Sequence, residues 1–219
     1  MVIKIVVSIP VKNRIIYPEG NYVKEFRLDY AEKNRIKDFI QKIDKIENTI
    51  ITIRDRDEGG YFDGSFEDKL DLLKIIKNSI IDIEFKHYDK IPKDIIKNKR
   101  IILSAHNFRG EFSEQEIFKM EEKADKKIIK IAMNIKNINH NIKLAKKFRG
   151  RIMFIDLSGN IMYRIILSFI GGIFLYTYYK KPTAPGQIDY NTATLLLDSL
   201  NMIKYWKFQD QYNIIPISY

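Results

Sequence analysis

The sequence predicts a (β/α)₈ barrel, and three observations lead to that fold. About eight short runs rich in Ile and Val have the length of strands, and segments of helical length alternate with them. Near-continuous apolar strands of this kind are typical of parallel sheets that are buried on both faces. No Pro- or Ser-rich linker divides the chain, so we expect one domain over residues 1–219. An open doubly wound sheet is the alternative, although no nucleotide-binding glycine loop follows the first strand.

The predicted strands are the apolar runs, each of which ends at a turn or a polar segment. They cover residues 2–8, 24–29, 48–54, 80–85, 100–106, 127–133, 150–155 and 172–178. The predicted helices have apolar residues at helical spacing. They cover residues 31–44, 66–78, 113–123, 137–147, 158–170 and 191–204. Ser113 followed by Glu116 has the pattern of a capping box, which predicts that a helix begins there.

One apolar segment, residues 161–179 (IMYRIILSFIGGIFLYTYY), is nearly long enough to cross a bilayer. Arg164 lies near one end of it, and Gly171-Gly172 interrupts its middle. These features favour a buried helix, a glycine turn and a buried strand over a membrane span. The N-terminal MVIKIVVSIP lacks the layout of a signal peptide, so we expect a cytoplasmic protein that does not enter a membrane.

Composition narrows the classes of function. The net charge of +10 allows a nucleic acid, a membrane surface or an anionic substrate as partner. Acidic residues interrupt the basic ones almost everywhere, which favours a solvated lysine-rich surface and no nucleic-acid partner. The chain has no cysteine, which excludes disulfides and thiolate chemistry, and its three histidines are far apart in sequence. We therefore expect no metal.

Polar and charged residues collect at the C-terminal ends of the predicted strands, where barrel enzymes carry their chemistry. Each residue alone has a structural explanation: Arg27 and Asp29 could form an ion pair, and Arg54 could be a surface charge. Together they suit a small anionic, hydroxylated substrate with a reactive carbonyl. The set comprises Glu25, Arg27, Asp29, Arg54, Glu58, Ser104, His106, Lys130, Arg164, Thr183 and Gln187.

The sixth predicted strand, KKIIKIAMNI, carries Lys130 among isoleucines. A buried ammonium is costly unless it is paired or loses its proton. A neutral amine can attack a carbonyl and form an imine, and burial together with nearby cations favours that neutral form. His106, an imidazole with an ordinary pKa near 6.5, could then remove and return a proton. We therefore predict apolar surroundings for Lys130, although a chance lysine in a lysine-rich chain is the alternative.

The ordered motifs EFRLD, TIR followed by EGG, SAHNF, IKIA and APGQ resemble those of the type I 3-dehydroquinate dehydratase family, from Ser8 to Gln187. The resemblance implies a cofactor-free, homodimeric barrel lyase that dehydrates 3-dehydroquinate through an imine on Lys130. It also implies that His106 is the general acid and base and that Glu58 orients it. The implied substrate contacts are Ser8, Glu25, Arg27, Arg54, Arg164, Thr183 and Gln187, with Arg164 and Gln187 at the carboxylate and Glu25, Arg27 and Arg54 at the ring hydroxyls.

The chain departs from the family pattern at a few positions, and two other functions stay open. The departures are Phe154, Asp156, Tyr163 and Gly172, which bear on the shape of the pocket. Another imine-forming barrel, such as a small aldolase, would use the same lysine but would not create a conjugated enone. A basic nucleic-acid-binding module is a further alternative, which leaves the acidic residues at the strand ends unexplained.

Overall fold

The computed structural model describes residues 3–199 and contains a curled, fully parallel sheet with the hydrogen-bonded order β7-β6-β5-β4-β3-β2-β1-β8-β9. Helices alternate with the strands, so the predicted barrel-like α/β fold is confirmed. The strands are β1 (Lys4–Pro10), β2 (Val23–Arg27), β3 (Thr49–Thr52), β4 (Ile80–Glu84), β5 (Ile101–Asn107), β6 (Ile128–Met133), β7 (Ile152–Asp156), β8 (Phe174–Tyr178) and β9 (Ile188–Asp189).

The helices pack outside the sheet, and an apolar layer of isoleucines, leucines and phenylalanines separates them from it. They are α1 (Ile36–Ile43), α2 (Phe66–Ile75), α3 (Phe85–Tyr88), α4 (Lys93–Ile96), α5 (Glu114–Lys123), α6 (Ile138–Lys147), α7 (Ile161–Gly171) and α8 (Tyr190–Ser199). Three short 3₁₀ turns lie at Leu28–Tyr30, Lys33–Arg35 and Arg56–Glu58.

The inside of the sheet is filled by a second apolar cluster, which lies below the polar residues of the strand ends. Its buried members are Val6, Ile50, Ile80, Ile102, Met153, Phe174 and Tyr176. Strand β7 lies at one end of the hydrogen-bonded order and β8 next to the other end, and both contribute to this cluster, so the two sides of the sheet face each other across it. The curl therefore brings the C-terminal ends of all the central strands to one rim.

Two connections differ from the prediction. Helix α1 begins at Ile36, five residues later than expected, because residues 31–35 have no buried side chain that would hold a helix against the sheet. The link between β4 and β5 contains the two short helices α3 and α4, for which the sequence made no prediction. The predicted helix 191–204 begins at Tyr190, and its part beyond residue 199 lies outside the described residues.

Two local predictions are confirmed. Ser113 and Glu116 form a reciprocal capping box at the start of α5. The apolar segment 161–179 forms α7, a left-handed turn at Gly172 with φ of 74°, and then β8. Across residues 3–199, none of the helices combines the length and the apolar character that a bilayer crossing requires.

Candidate active site

A cavity opens at the C-terminal ends of the strands, and the residues to which the family resemblance gives a role all line it except Ser8; Asp29 and Ser104 of the predicted set also lie outside its lining. Ser8 lies directly behind the wall, where its hydroxyl donates a hydrogen bond of 2.5 Å to Glu25. The parallel register explains this convergence, because the inward-facing residues of neighbouring strands end at the same rim. The other side chains of the lining include Phe108, Leu157 and Tyr176.

Lys130 lies on β6 at the bottom of the cavity and is 5% exposed. Its ammonium contacts the carboxylate of Asp82, and its Nζ lies 3.5 Å from Oε1 of Glu25. The predicted apolar surroundings are therefore wrong in one respect, because two carboxylates lie beside the amine. The flanking Ile129 and Ile131 belong to the outer apolar layer, because successive residues of a strand face opposite sides.

Asp82 and Glu84 on β4 belong to the site, although the sequence motifs did not predict them. Arg54 Nη2 lies 2.5 Å from Asp82 Oδ1, and its Nη1 lies 3.4 Å from Glu84 Oε1. Burial raises the pKa of Asp82, but the cations of Arg54 and Lys130 outweigh it and hold the pKa well below its usual range. The signal was present in the strand IIDIE, where two carboxylates at a spacing of two interrupt an apolar run.

Both Nη atoms of Arg54 have partners within the protein, since Nη1 also donates a hydrogen bond of 2.6 Å to Ser104. Arg27 is engaged as well, because Nε and Nη2 each donate a hydrogen bond of 2.8 Å to the carboxylate of Asp29. Thus the ion pair that the sequence allowed between Arg27 and Asp29 is formed, and both arginines also border the cavity.

Hydroxyl groups form a chain from β1 to the loop after β8. Glu25 accepts hydrogen bonds from Ser8 and, at 3.0 Å, from Thr52. Thr183 donates to Ser8 at 2.7 Å, and the backbone N–H of Thr183 donates to Gln187 Oε1 at the same distance. The carbonyl end of Gln187 therefore holds the loop, which leaves its NH₂ group as the end that can donate to a ligand.

His106 and Glu58 form a pair on the opposite wall, with 2.7 Å between His106 Nδ1 and Glu58 Oε2. Burial and the nearby cations, Arg54 first, lower the pKa of His106 well below its usual value. Burial also raises the pKa of Glu58, to about 7. At neutral pH the imidazole of His106 is therefore neutral, and the carboxyl group of Glu58 is close to its pKa and exchanges a proton readily.

Two glycines set the position of Glu58. The 3₁₀ turn Arg56–Glu58 ends at Gly59, whose φ of 77° is in the left-handed region. At Gly60 a Cβ atom would collide with the carbonyl oxygen of Arg54. The EGG motif therefore brings the Glu58 carboxylate to the imidazole across the mouth of the cavity, where Phe108 stacks near His106 at 6.2 Å between ring centroids.

Arg164 differs from the other cations of the site. It lies in the first turn of α7 and is 4% exposed, yet its Nε and Nη2 have no hydrogen-bond partner. Burial lowers its pKa to about 10, against the weaker effect of Asp156. A buried guanidinium with free donors at the N-terminal end of a helix is a ready site for an anion such as a carboxylate.

Comparison with known proteins decides the family. A family model described as Type I 3-dehydroquinase matches residues 16–204. The chain belongs to the type I 3-dehydroquinase family. The predicted family and its hydro-lyase activity are thereby confirmed, and the reading as another imine-forming barrel is set aside.

Relatives and solved structures agree with this membership. The chain is 31% identical over 192 residues to 3-dehydroquinate dehydratase of Methanocaldococcus jannaschii, covering 80% of this chain and 86% of that one. It is 30% identical over 213 residues to the enzyme of Sulfolobus acidocaldarius, covering 91% and 94%. The type I 3-dehydroquinate dehydratase of Clostridium difficile has the same fold, with a TM-score of 0.70 at 20% identity over 90% of this chain and 91% of that one.

The departures from the family pattern lie outside the lining of the cavity. Phe154 is part of the apolar layer under the helices. Asp156 is buried and accepts hydrogen bonds from the backbone N–H groups of Ile135 (3.2 Å) and Asn160 (3.1 Å), which fixes the turn that precedes α7. Gly172 ends α7. Asp156 therefore supports the start of the helix that carries Arg164, and the walls of the cavity are made by other residues.

A cluster of potential metal ligands lies behind the cavity wall. Asp55, Glu84 and His87 bring one ligand atom each to within 4.8 Å of one another. The ammonium of Lys69 already contacts Asp55 and lies 2.9 Å from Glu84, so the charge of these carboxylates is matched by a lysine. His87 Nε2 lies 2.6 Å from Asp55. This arrangement is a buried ion-pair network that supports Glu84.

Proposed function

We propose that this enzyme dehydrates 3-dehydroquinate to 3-dehydroshikimate through an imine on Lys130, without a cofactor. The observation that carries the proposal is the meeting, in one cavity, of a buried primary amine, an imidazole–carboxylate pair and a guanidinium with free donors. These three groups match the three demands of the reaction, which are a nucleophile, a proton carrier and a site for the carboxylate of the substrate.

The substrate carboxylate binds to Arg164, and the NH₂ group of Gln187 supplies a further donor beside it. Both Arg164 Nε and Nη2 are free to donate, which allows two parallel hydrogen bonds to one carboxylate. The ring hydroxyls meet the opposite wall, where Glu25 accepts hydrogen bonds and Arg27 and Arg54 supply positive charge. Ser8 and Thr183 hold Glu25 and the loop in place through their hydroxyl chain.

The amine must be neutral to attack the ketone, because only the free electron pair of the nitrogen can form the C–N bond. We assign the proton that the ammonium gives up to the neutral imidazole of His106, which lines the same cavity and is held by Glu58. The neutral amine then forms a C–N bond to the ketone carbon, and the resulting carbinolamine loses its oxygen as water to give an iminium. Asp82, which remains ionised, stabilises that cation as it stabilised the ammonium.

His106 carries the second half of the reaction. It removes the proton next to the iminium carbon, and the electron pair of that C–H bond forms an enamine. The enamine expels the β-hydroxyl, which takes a proton from the imidazolium and leaves as water. Hydrolysis of the conjugated imine releases the enone and restores the amine. Glu58 holds the imidazole in the required orientation through the contact of 2.7 Å between His106 Nδ1 and Glu58 Oε2.

Borohydride trapping with 3-dehydroquinate tests the proposal. We expect the mass of the reduced substrate on Lys130 and an enone absorbance during turnover, which cleavage by an aldolase would not produce. Lys130→Arg, the matched control that keeps a cation beside Asp82, should give neither signal. His106→Ala should still form a trappable adduct but turn over about 10²–10⁴-fold more slowly. Turnover that survives in Lys130→Arg would contradict the imine.

We further propose that residues 1–219 form one catalytic domain that works as a homodimer in the cytoplasm. Large apolar side chains, among them Met162 and Leu195, are exposed and could meet a second copy. Light scattering on the purified full chain should give twice the mass of one chain, and cell fractionation should recover the activity in the cytosol. A monomeric mass, or activity in the membrane fraction, would contradict these assignments.

A further inference from the structure

The hydroxyl of Tyr176 on β8 makes no hydrogen bond to the part of the protein that the structure describes. Its ring is one of the buried side chains of the inner apolar cluster, and it also lines the cavity. The ring centroid lies 5.0 Å from Lys130 Nζ, which is a cation–π distance. The hydroxyl oxygen is buried without a hydrogen-bond partner. A phenylalanine would keep the packing and the contact with the amine, so folding alone does not call for this oxygen.

The other hydroxyl groups around the amine are already engaged. Ser104 donates to Asp82 at 2.6 Å, and Thr52 and Ser8 donate to Glu25. Thr183 donates to Ser8. The carboxylates of Asp82 and Glu25 can only accept while they are ionised. Among the described hydroxyl groups around the amine, Tyr176, whose ring lies beside the amine, is therefore the one with a free donor.

We propose that the hydroxyl of Tyr176 is a catalytic hydrogen-bond donor to the ketone oxygen of the substrate and to the carbinolamine oxygen that it becomes. This assignment rests on the proposed imine chemistry. For attack, the carbonyl carbon must come within about 3–3.5 Å of Lys130 Nζ, which brings its oxygen, one bond away, into the space beside the Tyr176 ring. A donor at that place stabilises the negative charge that develops on the oxygen.

The phenol donates without giving up its proton. Burial, with the nearby carboxylates of Glu25 and Asp82, raises the pKa of Tyr176 well above its usual value. As the C–N bond forms, the π electrons of the carbonyl move to the oxygen, and Tyr176 holds that oxygen by a hydrogen bond. The oxygen takes one proton from the attacking nitrogen and a second from the His106–Glu58 pair and leaves as water, so the tyrosine ends each cycle unchanged.

The test compares Tyr176→Phe with Tyr178→Phe, which removes the same atom two residues further along β8 from a side chain that does not line the cavity. Rapid mixing with 3-dehydroquinate followed by borohydride quench measures the rate of adduct formation. We expect a roughly 10²-fold slower rate in Tyr176→Phe, the loss typical of one oxyanion donor, and no change in Tyr178→Phe. Thermal unfolding should show that Tyr176→Phe is at least as stable as the wild type.

An isotope effect separates this role from a general disturbance of the site. The iminium no longer carries the oxygen, so Tyr176→Phe should slow imine formation without slowing proton removal by His106. The deuterium isotope effect on kcat/KM for substrate labelled at the abstracted position should therefore decrease in Tyr176→Phe. A structural disturbance would slow both steps.

Each outcome has one meaning. Adduct formation at the wild-type rate in Tyr176→Phe, or a loss confined to KM, would overturn the role of Tyr176 and leave the Lys130 imine intact. Failure of the wild type to form any adduct would instead overturn the proposed function. If Tyr176→Phe did not unfold cooperatively, Tyr176→Leu would replace it, because leucine is also apolar and has no donor. Slower adduct formation is again expected, and a wild-type rate would again overturn the role of Tyr176.

Discussion

Arg54 and Arg164 are both buried, with exposed fractions of 2% and 4%, and both line the same cavity, but their surroundings are opposite. Arg54 contacts Asp82, Glu84 and Ser104, whereas Arg164 leaves Nε and Nη2 without a partner. Burial acts to lower the pKa of both, yet the carboxylates around Arg54 reverse the effect and raise it. A paired buried cation thus belongs to the scaffold, and an unpaired one is prepared for a ligand.

The largest expected effect follows from removing the paired arginine. Arg54→Ala leaves Asp82 and Glu84 with too little positive charge, and we expect the free energy of unfolding to fall by about 3–5 kcal/mol. Urea denaturation followed by circular dichroism measures this change. Arg54→Lys, which restores a charge but not the fork of donors, should lie between the two proteins. If Arg54→Ala were as stable as the wild type, the scaffold role of Arg54 would be wrong.

The unpaired arginine should behave in the opposite way. Arg164→Lys loses the bidentate grip on the substrate carboxylate, and we expect KM to rise roughly 10–10²-fold, which corresponds to a charge-assisted hydrogen bond of about 1.5–3 kcal/mol. Its stability should be unchanged, because the guanidinium donors that it removes have no partner in the free enzyme. Steady-state kinetics and urea denaturation of the same sample check both expectations. A loss of stability without a change in KM would show that Arg164 supports the fold and does not bind the carboxylate.

The pH dependence of stability tests the carboxyl at the mouth of the cavity. Glu58 has an ordinary pKa of 4.5 that burial raises to about 7 in the folded protein. Between these values the folded state keeps a proton that the unfolded state releases, so this contribution to stability decreases as the pH rises. Relative to Glu58→Gln, which cannot titrate, the wild type should lose stability from about pH 4.5 to 7 and stay level above that. A difference that is independent of pH would contradict the raised pKa.

The smallest effect is expected at an exposed ion pair. Lys74 Nζ lies 2.8 Å from Asp71 Oδ1 on α2, and both side chains are more than half exposed. Asp71→Asn should change the free energy of unfolding by less than about 1 kcal/mol and leave kcat/KM unchanged, because solvent screens such a pair. Urea denaturation at low and high salt measures it. A loss of unfolding free energy as large as that of Arg54→Ala would show that an exposed ion pair stabilises the protein as much as a buried one.

Much of the site could be predicted because its residues lie in short local motifs. SAHNF brings His106 to the end of β5, and EGG dictates a turn that only glycines allow, so Glu58 could be predicted at the mouth of the cavity. Asp82 and Tyr176 were not predicted, because their significance depends on neighbours from other strands. Asp82 matters through Arg54 and Lys130, and Tyr176 matters through a hydroxyl that lacks a partner.

The alternation of apolar runs and amphipathic segments was sufficient by itself to predict a parallel α/β fold, since each strand must bury both faces and each helix one. The number of units, about eight, favoured a barrel over an open doubly wound sheet. The order of the motifs was sufficient to identify the family. Only the tertiary structure decided which charges neutralise each other, because Coulomb attraction depends on distances between residues that are up to 105 positions apart, as for Lys130 and Glu25. That is why the same lysine was expected among isoleucines and was found between two carboxylates.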